Sequence, residues 1–138
     1  GHLSIDYRST TVETMDVRER FDIVLAMEVI EHVTDVGAFL SRCAAMVKPG
    51  GMMVVSTLNR NWKSFALAIV GAEYVLRWLP RGTHQWDKFV TPDELAQHLA
   101  HNRFAITEQA GVVYNPLADR WSISSDMDVN YMVVAEGA

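Results

Sequence analysis

The sequence predicts an α/β domain, and three observations carry that prediction. Two short, continuous apolar runs, "FDIVLAM" at 21–27 and "MMVVSTL" at 52–58, have the form of strands buried on both faces of a sheet. Between them Val36, Phe39, Leu40, Cys43, Ala44 and Val47 recur at helical spacing. Short connections join the three, which makes a βαβ unit and hence a parallel strand pair.

The remaining elements follow in order. "IDYRSTTVETM" (5–15) alternates and is rich in β-branched residues, so it reads as a strand running into a polar turn. Thr34 and Asp35 are suitable N-caps for the first helix. "KPGG" (48–51) ends that helix, with Pro and Gly in the usual order. In 59–89 the run Phe65 to Leu79 is apolar almost throughout, about 15 residues and too short to span a bilayer. Glu73 and Arg77 make an i,i+4 pair in the favoured order. "VTPDELAQHLAHN" opens a second helix: Thr91 caps it, Pro92 takes the first helical position and Glu94 completes a capping box. "FAITEQAGVVYNP" (104–116) and "DVNYMVVAEG" (128–137) read as an antiparallel strand pair, with the "NPLADRW" turn between them. Repeats, low-complexity stretches and linkers are absent, so residues 1–138 read as a single domain.

Composition narrows the function classes. The chain has 138 residues, 49% hydrophobic and 21% charged, which suits one soluble domain with a moderate core. A net charge of −5 argues against nucleic acid, which wants a basic face. The lone Cys43 excludes an internal disulfide framework and reads as a small buried hydrophobe. A reducing, cytoplasmic setting fits. The chain starts "GHLSIDYRS", with neither a start Met nor a charged-then-apolar leader, so the natural protein is expected to begin further upstream.

Chemistry concentrates after the first apolar run. Glu28, Glu31 and His32 stand at i, i+3 and i+4, and such groups beside a buried strand are costly unless paired, solvated or used. If the chain turns helically there, all three face one way. Two carboxylates and an imidazole on one face suit a divalent metal, with positions left for water and substrate oxygens. The same residues also suit a metal-free role, bonding the loop or facing a substrate. His98 and His101 read as solvated helix surface. In 62–86, Trp62, Trp78, Trp86, Phe65 and Tyr74 are flanked by Lys63, Arg77, Arg81 and His84. That pattern fits either a helix packed on the sheet or a lid that touches a membrane surface. Tyr114, Asn115 and Asn130 carry no role readable from sequence.

Three stretches carry a family resemblance. "FDIVLAMEVIEHVTD" resembles the fourth strand, and the loop after it, of class I methyltransferases; "MVKPGGMMVVSTLNR" resembles the helix end and fifth strand. "GAEYVLRWLPRGTHQWDKFVTPDEL" and "VYNPLADRW…DVNYMV" narrow the likeness to the ubiquinone-biosynthesis O-methyltransferases, from about Ile5 to the C-terminus. The resemblance implies S-adenosylmethionine as cofactor and a polyprenylated catechol as substrate. It assigns a magnesium-type ion and catalysis to Glu28, Glu31 and His32. It places Met27 against the cofactor, and Val12 and Glu13 beside the adenine. A metal binding both catechol oxygens would lower the hydroxyl pKa and fix the attacking oxygen.

The resemblance also implies a departure. The family's Gly-rich loop and its ribose-binding acid have no counterpart, since Gly50-Gly51 is the one Gly pair. The expected fold is therefore a Rossmann-like class I methyltransferase fold lacking its N-terminal strands and Gly-rich loop, with a C-terminal antiparallel strand pair. Such a chain is expected to bind the cofactor poorly alone, because backbone cannot approach it closely. Strand 21–27 should present a bare apolar edge, covered by a second copy as a homodimer or by the "IDYRS" segment. The 59–89 stretch would be a lid near substrate, with 62–86 contacting the inner membrane peripherally. Two other readings stand beside this one: a methyltransferase for another lipophilic phenol, and a non-catalytic binding or assembly module.

Overall fold

A computed structural model of the chain describes residues 2–61, 63, 70, 74, 77, 80, 81, 86–115 and 117–138. The expected Glu73–Arg77 pair, most of the apolar run 65–79, and Trp62, Phe65, Trp78 and His84 lie outside the described residues. Strands β1 (Phe21–Met27), β2 (Val47–Leu58), β3 (Phe104–Asn115), β4 (Arg120–Ser124) and β5 (Asn130–Gly137) form one sheet in the order β1-β2-β5-β3-β4. β1 and β2 run parallel, and β5 pairs antiparallel with both β2 and β3. Helices α1 (Val36–Ala45) and α2 (Pro92–His101) pack against the sheet and against each other. Among the described residues no helix is long and apolar enough to cross a membrane.

Period-2 alternation places the core. Tyr131, Val133 and Ala135 of β5 all point inward and are buried. They join Met53 and Val55 of β2 and meet Leu40 of α1 and Leu95 and Leu99 of α2. Burying each such Leu contributes roughly 1.5–3 kcal/mol, so this layer holds the helices on the sheet. The Tyr131 hydroxyl, carried into that layer, donates to the Val90 carbonyl at 2.5 Å. This bond ties the start of α2 to the sheet.

Both helix starts follow their caps. Asp35 Oδ1 accepts from the Ala38 amide at 3.0 Å. Thr91 Oγ1 accepts from the Glu94 amide at 3.3 Å, and Glu94 Oε2 accepts from the Thr91 amide at 3.1 Å, which closes the expected capping box. Thr91→Ala is expected to cost about 1 kcal/mol in denaturant unfolding. A loss below about 0.3 kcal/mol would show the box to be idle.

Four expectations are corrected. Residues 5–15 form no strand: no neighbouring strand completes a ladder there, and Ile5 and Tyr7 are exposed above a turn at 12–15. β1 is not buried on both faces. Ala26 is buried beneath α1, while Ile23, Leu25 and Met27 on the other face are exposed. The apolar run anticipates a covering layer that the described residues do not supply. Val47 belongs to β2, not to the helix, so "KPGG" falls inside the strand; the register jumps from Phe21↔Val47 to Ile23↔Met52 across it. The Gly pair suits that bulge, since Gly50 has φ +77° and a Cβ on Gly51 would stand 2.6 Å from the Asp22 carbonyl. Finally, "NPLADRW" turns β3 into an additional strand, β4, and β5 pairs on the opposite side of β3.

Candidate active site

In sheets of this kind ligands gather beyond the carboxyl ends of the parallel strands. Here those ends are Met27 of β1 and Leu58 of β2. Glu28 follows immediately with φ +54°, a left-handed conformation uncommon outside glycine. Ser56 holds it there. The Glu28 amide donates to the Ser56 carbonyl at 2.9 Å and lies 3.1 Å from its Oγ, and Ser56 Oγ donates to Glu28 Oε1 at 3.1 Å. A single 3-10 turn, Ile30–His32, then drives Glu31 inward to 3% exposure. Thr57 Oγ1 donates to Glu31 Oε2 at 2.6 Å. His32 remains half-exposed at the rim, its Nε2 3.8 Å from Glu31 Oε1.

The expected single helical face is therefore not what gathers these groups. Glu28 is left-handed and only 30–32 is helical. The structure brings Glu28 and Glu31 together and leaves His32 beside them. Among the described residues no three His, Cys, Asp or Glu side chains converge as a metal-holding group.

The pair is electrostatically unusual. Burial pushes the Glu28 carboxyl up to about 7, and the Glu31 charge adds to the shift; hydrogen bonds from Ser56 and Asn130 oppose it. Near neutral pH Glu28 is therefore partly protonated, and a cation could take the place of that proton. The shift has a stability consequence. Because the folded-state value is raised, the contribution is fully present below about pH 4.5 and is lost as pH rises through about 7. The full shift would correspond to about 3 kcal/mol, but Glu28 keeps substantial contact with water, and screening reduces this to about 1 kcal/mol. Relative to Glu28→Gln, the wild type should lose that amount between pH 4.5 and pH 8. Parallel pH profiles would contradict the shift.

The residues assigned to the cofactor fall in two places, Met27 on β1 and Val12 and Glu13 on the 12–15 turn. Met27 ends the strand, partly exposed on the face away from the helices. Val12 packs against the core, and the 12–15 turn is held by Arg42 of α1. Its Nη2 donates to the Glu13 and Met15 carbonyls, each at 2.9 Å, and its Nε to that of Val12 at 3.4 Å. An apolar groove of about 310 Å³ runs between this turn, β1 and α1, lined in part by Val12, Ile23, Val29 and Cys43. Val12 lines it; Met27 and Glu13 do not. Burial pushes the Cys43 thiol up to about 11, which makes it an unreactive wall residue.

Sequence reasoning missed Ser56, Thr57, Asn130 and Arg42. The Ser-Thr step at the end of the apolar "MMVV" run was a readable signal, since buried hydroxyls need partners. Asn130 was not readable: its place depends on β5 pairing antiparallel with β2, opposite Leu58. Arg60 pairs with Glu94 and donates to the Phe89 carbonyl at 3.3 Å. Lys63 pairs with Asp126 at 2.9 Å. These contacts tie Arg60 to the start of α2 and Lys63 to the connection before β5.

Comparison with known proteins adds to this geometry. A family model described as "Methyltransferase domain" matches residues 5–109. The chain is 83% identical over 136 residues to a Ubiquinone biosynthesis O-methyltransferase of Bradyrhizobium sp. (strain ORS 278), covering 99% of this chain and 54% of that protein. It is 84% identical over 138 residues to the protein of that name in Rhodopseudomonas palustris (strain BisB18), covering 100% of this chain and 54% of that one. The chain thus spans about half the length of the curated relatives it matches. Among solved structures, magnesium protoporphyrin IX methyltransferase from Synechocystis PCC 6803 with bound SAH superposes at TM-score 0.61 and 14% identity, covering 94% of this chain and 49% of that one. The Burkholderia thailandensis 1,6-didemethyltoxoflavin-N1-methyltransferase, with 1,6-didemethyltoxoflavin and S-adenosylhomocysteine bound, gives TM-score 0.56 at 18% identity, covering 92% of this chain and 48% of that one. At such identities these structures establish the class I methyltransferase fold alone.

Proposed function

The chain belongs to the methyltransferase-domain family, and from that premise we propose that the full-length protein transfers a methyl group from S-adenosylmethionine to a hydroxyl of a polyprenylated catechol in ubiquinone biosynthesis. The observation that carries this reading is the identity of more than 80% to proteins of that name across nearly the whole chain. The bound cofactor supplies an electrophilic methyl group, and the chain's residues would position it and the acceptor. Met27, with Val12 and Glu13 on the turn gripped by Arg42, would border the cofactor. Glu28 and Glu31, at the end of β1, would face the acceptor's hydroxyls.

The carboxylate pair suits a divalent cation, magnesium by its oxygen donors, in place of the Glu28 proton. His32 is exposed enough to swing in as a third ligand. A metal-free site is the second reading, supported by the Ser56 and Thr57 hydroxyls that already bond the two carboxylates. Calorimetry on the full-length protein separates the two. S-adenosylhomocysteine should bind at micromolar affinity, and magnesium should bind to the wild type and fail with Glu28→Ala and Glu31→Ala. No cofactor binding would overturn the function; equal magnesium affinity in all three would overturn the metal.

The bare apolar edge of β1 suits a homodimer contact, and a polyprenyl substrate suits a cytoplasmic enzyme that touches the inner membrane peripherally through 62–86. Most of that stretch lies outside the described residues.

A further inference from the structure

Glu28 and Glu31 leave β1 on a tight irregular turn, yet both end on one neighbouring strand. Successive residues of a strand point to opposite faces. Ser56 lies opposite Met27 and Met132, on the face away from the helices. Thr57 lies opposite Tyr131, on the helix-covered face. Each hydroxyl meets a different carboxylate, so the end of β2 is grasped from both sides. We propose that Ser56 and Thr57 are the positioning residues of the methyl-acceptor site: they set the spacing and orientation of the Glu28 and Glu31 carboxylates. This inference rests on the reading that those carboxylates face the acceptor.

The physical case has three parts. Both residues are nearly sealed from water, Ser56 at 2% and Thr57 at 0% exposure, so each hydroxyl depends on a protein partner. Each donates to a carboxylate, at 3.1 Å from Ser56 to Glu28 and 2.6 Å from Thr57 to Glu31. Lastly, Ser56 bonds the Glu28 amide through both its carbonyl and its hydroxyl, at 2.9 and 3.1 Å, and so holds the left-handed backbone that turns Glu28 toward Glu31. Packing alone gives no reason for hydroxyls here. The same strand uses Met53 and Val55 at its other fully buried positions, and Val would fill the Thr57 space.

The test uses Thr57→Val, Thr57→Ser and Ser56→Ala in the full-length protein, with catechol turnover and the ¹³C signals of the Glu carboxyls as readouts. Thr57→Val should lower kcat about tenfold or more, as loss of an orienting partner commonly does, with KM for S-adenosylmethionine unchanged. Thr57→Ser should restore kcat, and the Glu31 carboxyl signal should move in Val and return in Ser. Ser56→Ala should move the Glu28 signal and lower kcat similarly. Wild-type kcat in Thr57→Val, or no rescue by Ser, overturns the inference. A wild type that turns over no catechol refutes the acceptor reading instead. In that event a Glu31 signal unmoved by Thr57→Val overturns the positioning as well, and a moved signal with Ser rescue upholds it.

Discussion

Glu31→Ala should abolish catechol methylation by the full-length protein to about one hundredth of the wild-type rate or less, while changing stability modestly. The two outcomes have separate causes. In stability, truncation leaves the buried Thr57 hydroxyl without its acceptor, a loss of about 1–3 kcal/mol. It also removes the charge that helps raise the Glu28 carboxyl, which offsets part of that loss. The net change should therefore be about 1 kcal/mol, too little to unfold the domain. In activity, one of the two carboxylates that would hold and orient the acceptor is gone, and misplaced acceptors are costly. Steady-state turnover measured beside a thermal melt checks both at once. A rate within threefold of wild type would remove Glu31 from the site.

Gly111→Ala should be the most damaging small substitution in the sheet, at about 3 kcal/mol, or a fall of roughly 10 °C in melting temperature. Gly111 is buried in β3, between Ser124 of β4 and Tyr131 of β5. A Cβ there would overlap the Asp126 carbonyl backbone, which crosses directly against the strand. Backbone cannot yield as a side-chain tip can, so the 125–129 connection must move. That connection accepts hydrogen bonds from Asn59 and Asn61, pairs with Lys63 and leads into Asn130, the partner of Glu28. Damage should reach the site, with the Glu28 carboxyl signal displaced in the same variant. A destabilisation below about 1 kcal/mol would contradict the close approach.

The parts of the fold legible in sequence are those set by local chemistry. The Thr91-Pro92-Glu94 box and the strand–helix–strand order of β1, α1 and β2 depend on neighbours in the chain. The parts that were not legible depend on partners distant in sequence. Residues 5–15 have strand composition but no neighbouring strand, so they stay irregular. β4 exists because the turn at 117–119 folds it back on β3. Asn115 Oδ1 stabilises that turn by accepting from the Leu117 and Ala118 amides at 2.9 and 3.1 Å. At the site, Glu28 and Glu31 were visible as charges after an apolar run. The hydroxyls that hold them are legible as a Ser-Thr step closing an apolar run, but which carboxylate each one meets depends on the pairing of β1 with β2. Periodicity suggested a helical face for 28–32; the left-handed Glu28 and the short 3-10 turn gather the carboxylates by a different route.

The central claim is that the carboxylate pair at the end of β1 serves methyl transfer to a catechol. The most direct measurement is single-turnover transfer of labelled methyl from S-adenosylmethionine to a prenylated catechol, by the full-length wild type and by Glu28→Gln/Glu31→Gln. The account predicts a mono-O-methylated product from the wild type, and no product from the variant although it still binds the cofactor. Product formed by the variant at the wild-type rate would contradict it.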